Sequence, residues 1–207
     1  MNIPVIFEDE YLLIVNKPSG LLTIPTPHHE SRTLTSILND DAAQKRAPYR
    51  LHPCHRLDRE TSGAIIYAKG KSVQKKMMQL FQARRVEKTY VAFVHGRLPR
   101  KEGTISLPLE GMPATTEYRQ IAERKGFSVV EVKPLSGRKN QIRLHFKQLG
   151  NPLVGETRFA FRKDFALRHK RVCLHAKALT FLHPVGQRRV SVEAPLAPDL
   201  EEFLRTH

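Results

Sequence analysis

The stretch His55-Arg56-Leu57-Asp58-Arg59-Glu60-Thr61-Ser62-Gly63, running directly into Ala64-Ile65-Ile66-Tyr67-Ala68, decides how the rest of the chain is read. Its second half is a β-branched apolar run with the length of a buried strand. Its first half sets one carboxylate, Asp58, between two arginines, just before a Thr-Ser-Gly turn at the mouth of that strand. Flanking guanidinium groups favour the ionised carboxylate, and Gly63 permits a tight backbone path and the close approach of a ligand. On charge pattern alone two readings stay open. Asp58 is a nucleophile, or it belongs to a solvated Arg-Asp-Arg cluster that caps a turn.

On the N-terminal side, Ile3 to Phe7 and Tyr11 to Val15 read as strands around the acidic turn Glu8-Asp9-Glu10. Asn16-Lys17-Pro18-Ser19-Gly20 ends the second strand at a proline and glycine turn. Residues 25–32, with Pro25, Pro27, His28 and His29, read as a surface loop, and a short helix follows Thr33 with Leu34, Ile37 and Leu38 on one face. On the C-terminal side, Val73, Met77, Leu80 and Phe81 form the apolar stripe of a helix from Ser72, the expected N-cap, to about Arg85. Arg84 and Arg85 suit its negative end and are placed to reach phosphate. Lys88 to Gly96 is a strand, and Thr104 to Leu109, Thr115 to Ala122 and Phe127 to Lys133 form an antiparallel meander. Pro134 to Arg138 break that pattern. Ile142, Phe146 and Leu149 then mark a helix stopped by Gly150 and Pro152, with Arg143 beside the stripe. Leu174 to Pro184 and Val190 to Ala194 close a hairpin around Gly186, and Pro198 opens a last helix. Many strands among few helices give the α+β class.

With 207 residues, 40% hydrophobic content and no low-complexity tract, the chain is expected to form one domain, 1–207, with no additional RNA-binding module. Thirty-five Lys and Arg against 20 Asp and Glu leave a net charge of +15, which suits a polyanionic partner, nucleic acid first. No apolar run approaches a membrane span, so no membrane role is expected. Cys54 and Cys173 make no disulfide framework, and the N-terminus has neither a secretory nor a transit pattern, so the expected setting is cytoplasmic. His52, Cys54 and His55 match no usual zinc spacing. No glycine-rich phosphate loop is present, so no nucleotide cofactor is indicated. Arg158, Arg162, Lys163, Arg168, Lys170 and Arg171 make a basic segment that reads as a solvated face or as phosphate contacts.

The string HRLDxxTSG resembles the signature of the RluA-like family of pseudouridine synthases and stands complete from His55 to Gly63, with Arg59 and Glu60 in its variable positions. NKPSG at Asn16 resembles the family's opening motif, and Lys88, Tyr90 and Ala92 fit its KxYxA. PLSGRKNQIRLH resembles its third motif, with Ser136 in place of Thr and Asn140, which has no ionisable ring, in place of His. Asn151 to Glu156 resembles its HPILGD loop, with Glu156 in place of Asp. LHA at Leu174 and APL at Ala194 fit its ending.

This resemblance implies a mixed, mostly antiparallel sheet platform with flanking helices and a basic active-site cleft, the pseudouridine synthase catalytic fold. It implies an isomerase that flips a uridine out of ribosomal or transfer RNA and rejoins its base through C5. Asp58, Tyr90 and Arg143 would be catalytic, Tyr90 as a stacking face rather than a plain core tyrosine and Arg143 as the partner of Asp58. His55, Arg56, Lys88 and Arg138 would bind substrate, with Arg56 filling the space of the flipped base. No metal or cofactor is implied, and a monomer is expected. Attack of Asp58 at C1′ or C6, or proton removal to a glycal, stays open. Two other readings stand beside this one: a catalytically inactive RNA-binding protein with the same fold, and a metal-dependent nuclease using His52, His55 and Asp58.

Overall fold

The apolar run after Gly63 is a strand, β4 (Ser62–Lys69), buried at every residue but the last. The computed structural model describes residues 2–26, 30, 32–160, 165 and 167–207, so positions 27–29 and 31 of the loop expected over 25–32 and the cations Arg162 and Lys163 lie outside the described residues. The chain divides into two units, Met1–Val86 with Ala176–Pro195 and Glu87–His175 with Leu196–His207.

In the first unit, β1 (Val5–Glu8) pairs with β2 (Leu12–Lys17), and β2 and the short β3 (Leu51–Pro53) both pair antiparallel with β4. Strand β3 has no signal of its own in the sequence, being three residues with a terminal proline. On the other side of β4 runs β9 (Leu174–Leu182), which carries β10 (Arg189–Glu193) as its hairpin partner around Gly186. One face of this sheet packs Ile14, Ile66, Leu179 and Phe181 against Val73 and Met77 of α2 (Lys71–Gln82). On the other, the Tyr67 hydroxyl lies 3.0 Å from Thr35 Oγ1 of α1 (Leu34–Gln44). Helix α1 starts at a reciprocal capping box between Thr33 and Ser36. Helix α2 begins one residue earlier than expected. Gly70, at φ 109°, occupies its N-cap with no side-chain cap, so Ser72 is an exposed residue inside the helix rather than its cap.

In the second unit, β5 (Glu87–His95), β6 (Glu102–Ser106), β7 (Thr115–Arg124) and β8 (Phe127–Pro134) form an antiparallel run in the order β5-β8-β7-β6. Strand β6 is shifted from the expected 104–109, and Leu109 instead bridges to Met112. The two-residue period of a strand sends alternate side chains to opposite faces. Ala92, Val94, Val130 and Val132 meet Ile142 and Phe146 of α3 (Gln141–Gln148), while Val91, Phe93, Phe127 and Val129 meet Leu200 and Phe203 of α4 (Pro198–Thr206). Each such aliphatic or aromatic side chain contributes about 1.5–3 kcal/mol by leaving water. The α+β class with a mostly antiparallel sheet is therefore the observed one. Among the described residues, no helix is long and apolar enough to cross a membrane.

Gly63 corrects one expectation. Its φ is +116°, and a Cβ there would stand 2.3 Å from the Ala176 carbonyl oxygen, so the close neighbour is the backbone of β9 and not a ligand. Gly63→Ala adds both a disfavoured backbone angle and a clash with a backbone that has no room to yield. The expected loss is at least about 2 kcal/mol, or roughly 4–8 °C in the melting temperature measured by circular dichroism.

Candidate active site

In the first unit, the backbone around Asp58 is held on both sides. Leu57 is buried, with its carbonyl accepting from Thr23 Oγ1 at 3.0 Å and its N–H donating to the same oxygen at 3.3 Å. The Arg59 carbonyl accepts from the Gly20 amide at 2.8 Å and from Lys17 Nζ at 3.2 Å, and the Glu60 carbonyl accepts from Ser19 Oγ at 2.9 Å. The Thr61 amide closes a turn onto the Asp58 carbonyl at 3.1 Å. Lys17 is fully buried and also donates to the carbonyls of Pro18 at 2.9 Å and Leu21 at 2.8 Å. A buried ammonium requires such partners, and its charge-assisted bonds are stronger than neutral ones. The turn legible in Asn16 to Gly20 is thus also the clamp on the Asp58 loop.

The side chains of this loop divide by role. Arg56 is exposed and Asp58 half-buried. Neither flanking arginine forms an ion pair with Asp58 among the described residues of this unit. Arg59 donates Nε to the Gly20 carbonyl at 3.1 Å, which speaks against the alternative reading of a solvated Arg-Asp-Arg cluster. His55 Nε2 accepts from the Ile66 amide at 3.0 Å, and its ring lies 4.8 Å from that of Phe81, so this imidazole braces the loop against β4 and α2. With Nε2 accepting, the neutral ring carries its proton on Nδ1.

In the second unit, Tyr90 is half-buried on β5 beside the α3 core, opposite Val132. Lys88 Nζ donates to the Ser136 carbonyl at 3.3 Å, and Arg138 Nε donates to the Pro113 carbonyl at 3.2 Å. The loop between them rests on a buried polar chain. Ser136 Oγ and the Arg138 amide both donate to Gln141 Oε1, at 2.8 and 3.0 Å, and Gln141 Nε2 donates to Thr116 Oγ1 at 2.9 Å. Thr116 Oγ1 lies 2.9 Å from His145 Nδ1, and His145 Nε2 lies 3.1 Å from the Leu107 carbonyl. The carbonyl only accepts, so His145 carries its proton on Nε2 and Thr116 donates to Nδ1. Burial pushes the pKa of His145 down, which keeps the ring neutral as this chain requires.

Arg143 is buried in α3 and meets Glu156 through two parallel bonds, Nε to Oε2 at 2.7 Å and Nη2 to Oε1 at 2.8 Å, while Nη1 donates to Asn140 Oδ1 at 3.3 Å. Burial alone would raise the Glu156 carboxyl, but the bonds from Arg143 and from the amides of Arg158 and Phe159 outweigh it and hold it below the usual carboxylate range. Asn140 occupies the helix N-cap in the left-handed region at φ 53°, a conformation asparagine tolerates better than most L residues. Sequence reasoning found the retained carboxylate at Glu156 without its partner, and it singled out none of Thr116, Gln141 and His145, although Gln141 and His145 lie within PLSGRKNQIRLH, one helical turn apart.

Arg171 is not a phosphate contact: it is buried and holds Asp199 through Nε to Oδ2 at 2.6 Å and Nη2 to Oδ1 at 2.9 Å, whereas Arg158, Arg168 and Lys170 of the same segment are exposed. Burial pushes the Cys54 thiol up to about 12, which leaves it unreactive at neutral pH. No cluster of metal-ligating side chains occurs among the described residues.

A family model described as RNA pseudouridylate synthase matches residues 11–148. The dual-specificity RNA pseudouridine synthase RluA of Vibrio cholerae is 34% identical over 227 residues, covering 99% of this chain and 88% of that protein. The uncharacterized RNA pseudouridine synthase YhcT of Bacillus subtilis is 29% identical over 222 residues, covering 100% of this chain and 72% of that protein. Among solved structures, human RNA pseudouridylate synthase domain containing 4 shares the fold with a TM-score of 0.82 at 21% identity, covering 98% of this chain and 92% of that one.

The Arg143–Glu156 pair makes its own prediction. Glu156→Gln leaves a buried guanidinium without its counter-charge and is expected to destabilise the protein by about 3–5 kcal/mol in urea unfolding at pH 7. Because the folded carboxyl titrates below its ordinary value of 4.5, its stabilisation is fully present above that pH and is lost as pH falls through the lowered value. The acid-side loss of stability is therefore expected to be shallower in Glu156→Gln than in the wild type. An unchanged acid limb would contradict this account.

Proposed function

The chain belongs to the RNA pseudouridylate synthase family and is accordingly an isomerase acting on RNA, and from this we propose that it converts a specific uridine of ribosomal or transfer RNA to pseudouridine through Asp58. The single observation that carries the proposal is the complete HRLDxxTSG motif, with Asp58 half-buried on a loop whose backbone is held by Lys17, Ser19, Gly20 and Thr23. One family model spans residues of both units, which supports reading 1–207 as a single catalytic domain. We place it in the cytoplasm as a monomer.

The reaction breaks the N1–C1′ bond, turns the uracil and joins C5 to C1′. C5 loses its proton and N1 gains one, so atoms and electrons balance within the nucleotide and no cofactor is required. The target atoms of a stacked uridine are shielded, so the nucleotide is flipped out, at about a few kcal/mol for unstacking. Arg56, exposed beside Asp58, fills the vacated space. Tyr90 offers a face for the flipped base, a contact of about 1–3 kcal/mol in single-strand recognition. His55, Lys88 and Arg138 complete substrate binding: His55 through the loop it braces, Lys88 and Arg138 through cations on the loop at Ser136. Asp58 attacks C1′ or C6 or removes a proton to form a glycal, with Arg143, held in place by Glu156, as the partner of that carboxylate.

Asp58→Asn keeps the shape and removes the charge, so turnover should vanish while RNA affinity survives. Release of tritium from RNA labelled at uracil C5 reads the chemistry, because the new C5–C1′ bond expels that atom. Wild-type release from the Asn variant would sink the proposal, since an amide serves none of the three routes. Tyr90→Phe keeps the stacking face and Tyr90→Ala loses it. RNA binding is expected to hold in the first and weaken in the second, and equal, near-wild-type behaviour of both would make Tyr90 a core residue only.

A further inference from the structure

The exposed surface of the first unit includes a groove of about 270 Å³ between the C-terminal end of α2 and the β9–β10 hairpin. Lys76, Gln79, Leu80 and Arg85 line it from the helix side, and Pro184 and Gln187 from the hairpin. We propose that this groove docks the phosphodiester backbone of the RNA substrate at a place apart from the loop that carries Asp58. The proposal rests on the protein acting on RNA.

Charge is the first support. From Thr61 to Val86 the chain contains no Asp or Glu. Among the described residues, Lys71, Lys75, Lys76, Arg84 and Arg85 are exposed and form no ion pair; elsewhere in this unit Lys69 is matched to Glu8 at 2.6 Å and Arg188 to Asp9 at 2.7 Å, and the exposed cations Arg46, Arg50 and Arg56 lie on other segments. Unmatched cations concentrated on one helix face suit a polyanion. The lining chemistry is the second. Two glutamine amides donate to phosphate oxygens, and Leu80 and Pro184 offer an apolar surface to ribose, whereas no aromatic ring lines the groove to stack a base.

The helix end itself is the third support. The amides of Arg84 and Arg85 bond to the carbonyls of Phe81 and Leu80, closing α2 in a Schellman motif. The position after the cap is in the left-handed region, at φ 56°, where glycine is usual and Arg84 stands instead. The closure sets Arg85, the next residue, at the end of the helix, where it lines the groove. The inner face of the same helix supports the catalytic loop, through the Phe81 ring against His55 and Gln74 Nε2 on the Pro53 carbonyl at 2.8 Å. One helix therefore joins the docking groove to the Asp58 loop.

Binding of fluorescently labelled bulk transfer RNA, titrated across salt concentrations, tests the proposal, because the slope of log Kd against log salt counts phosphate contacts whatever the RNA sequence. Lys76→Gln/Arg85→Gln is expected to lower that slope by about 0.7–0.9 per lost contact. Lys76→Arg/Arg85→Lys, which keeps both charges, should retain the wild-type slope. Lys101→Gln/Lys125→Gln removes the same charge from exposed positions of the second unit and should also retain it. An unchanged slope in the groove variant overturns the proposal. So does an equal fall in both neutralised variants, which would mark a general charge field rather than a site. The readout is affinity, so it stands apart from the role of Asp58, and wild-type protein that fails to bind RNA at low salt would instead refute the RNA reading on which the proposal rests.

Discussion

A lysine ammonium out of water is the constraint on which the Asp58 loop of the first unit depends. Lys17 is fully buried, and the carbonyls of Pro18, Leu21 and Arg59 converge on its charge and help to offset the loss of water. Satisfying that charge forces the turn after β2 to lie against the segment after Asp58. Ser19 and Gly20 then find their partners in Glu60 and Arg59. The aspartate is thereby carried by a backbone with little freedom, which is what the role proposed for it, meeting one atom of a flipped nucleotide, requires. Without the ammonium, the three carbonyls would lose a shared donor and the two loops their common anchor.

The second unit reaches the same end by side chains. Gln141 is nearly fully buried and serves Ser136, Arg138, Thr115 and Thr116 at once, which is close to everything an amide side chain can offer. Thr116 and His145 carry the chain on to the Leu107 carbonyl, so a loop rich in glycine and cations rests on a fully occupied polar network. Arg143 is treated likewise: the paired bonds from Glu156 orient its guanidinium before any substrate arrives. Asn140 in place of the family's histidine fits here, since its oxygen accepts a hydrogen bond from Arg143 and its backbone takes the left-handed turn into α3.

Helix α2 shows how one amphipathic element serves two ends. Its apolar stripe, Val73 and Met77 with Leu80 and Phe81, is core and loop support, and its solvent face holds cations with no acidic residue among them. An ordinary surface helix mixes both signs for solubility. A helix that does not do so has a field to present.

The sequence by itself determined what depends on local chemistry. Strand β4 was legible because eight consecutive residues are buried but for the last, and α2 because its stripe keeps the helical period. The strands of the second unit were legible as an antiparallel meander, but not which helix covers each face of it. The motif strings carried the family and the names of Asp58, Tyr90 and Arg143, since a fixed spacing of unlike residues survives as a pattern even where no period exists. Only the tertiary structure decided the partners. Arg59 was read as a neighbour of Asp58 and is found on Gly20. Arg171 was read as a cation for RNA and is found on Asp199. Gly63 was read as room for a ligand and is found against β9. In each case the charge or the missing side chain is visible in the sequence, but the group that answers it is brought from 28 to 113 positions away, or from 39, by packing that no local rule encodes. Partner choice for a polar group is settled by which buried donor or acceptor would otherwise stay unmatched, and that is a property of the folded chain.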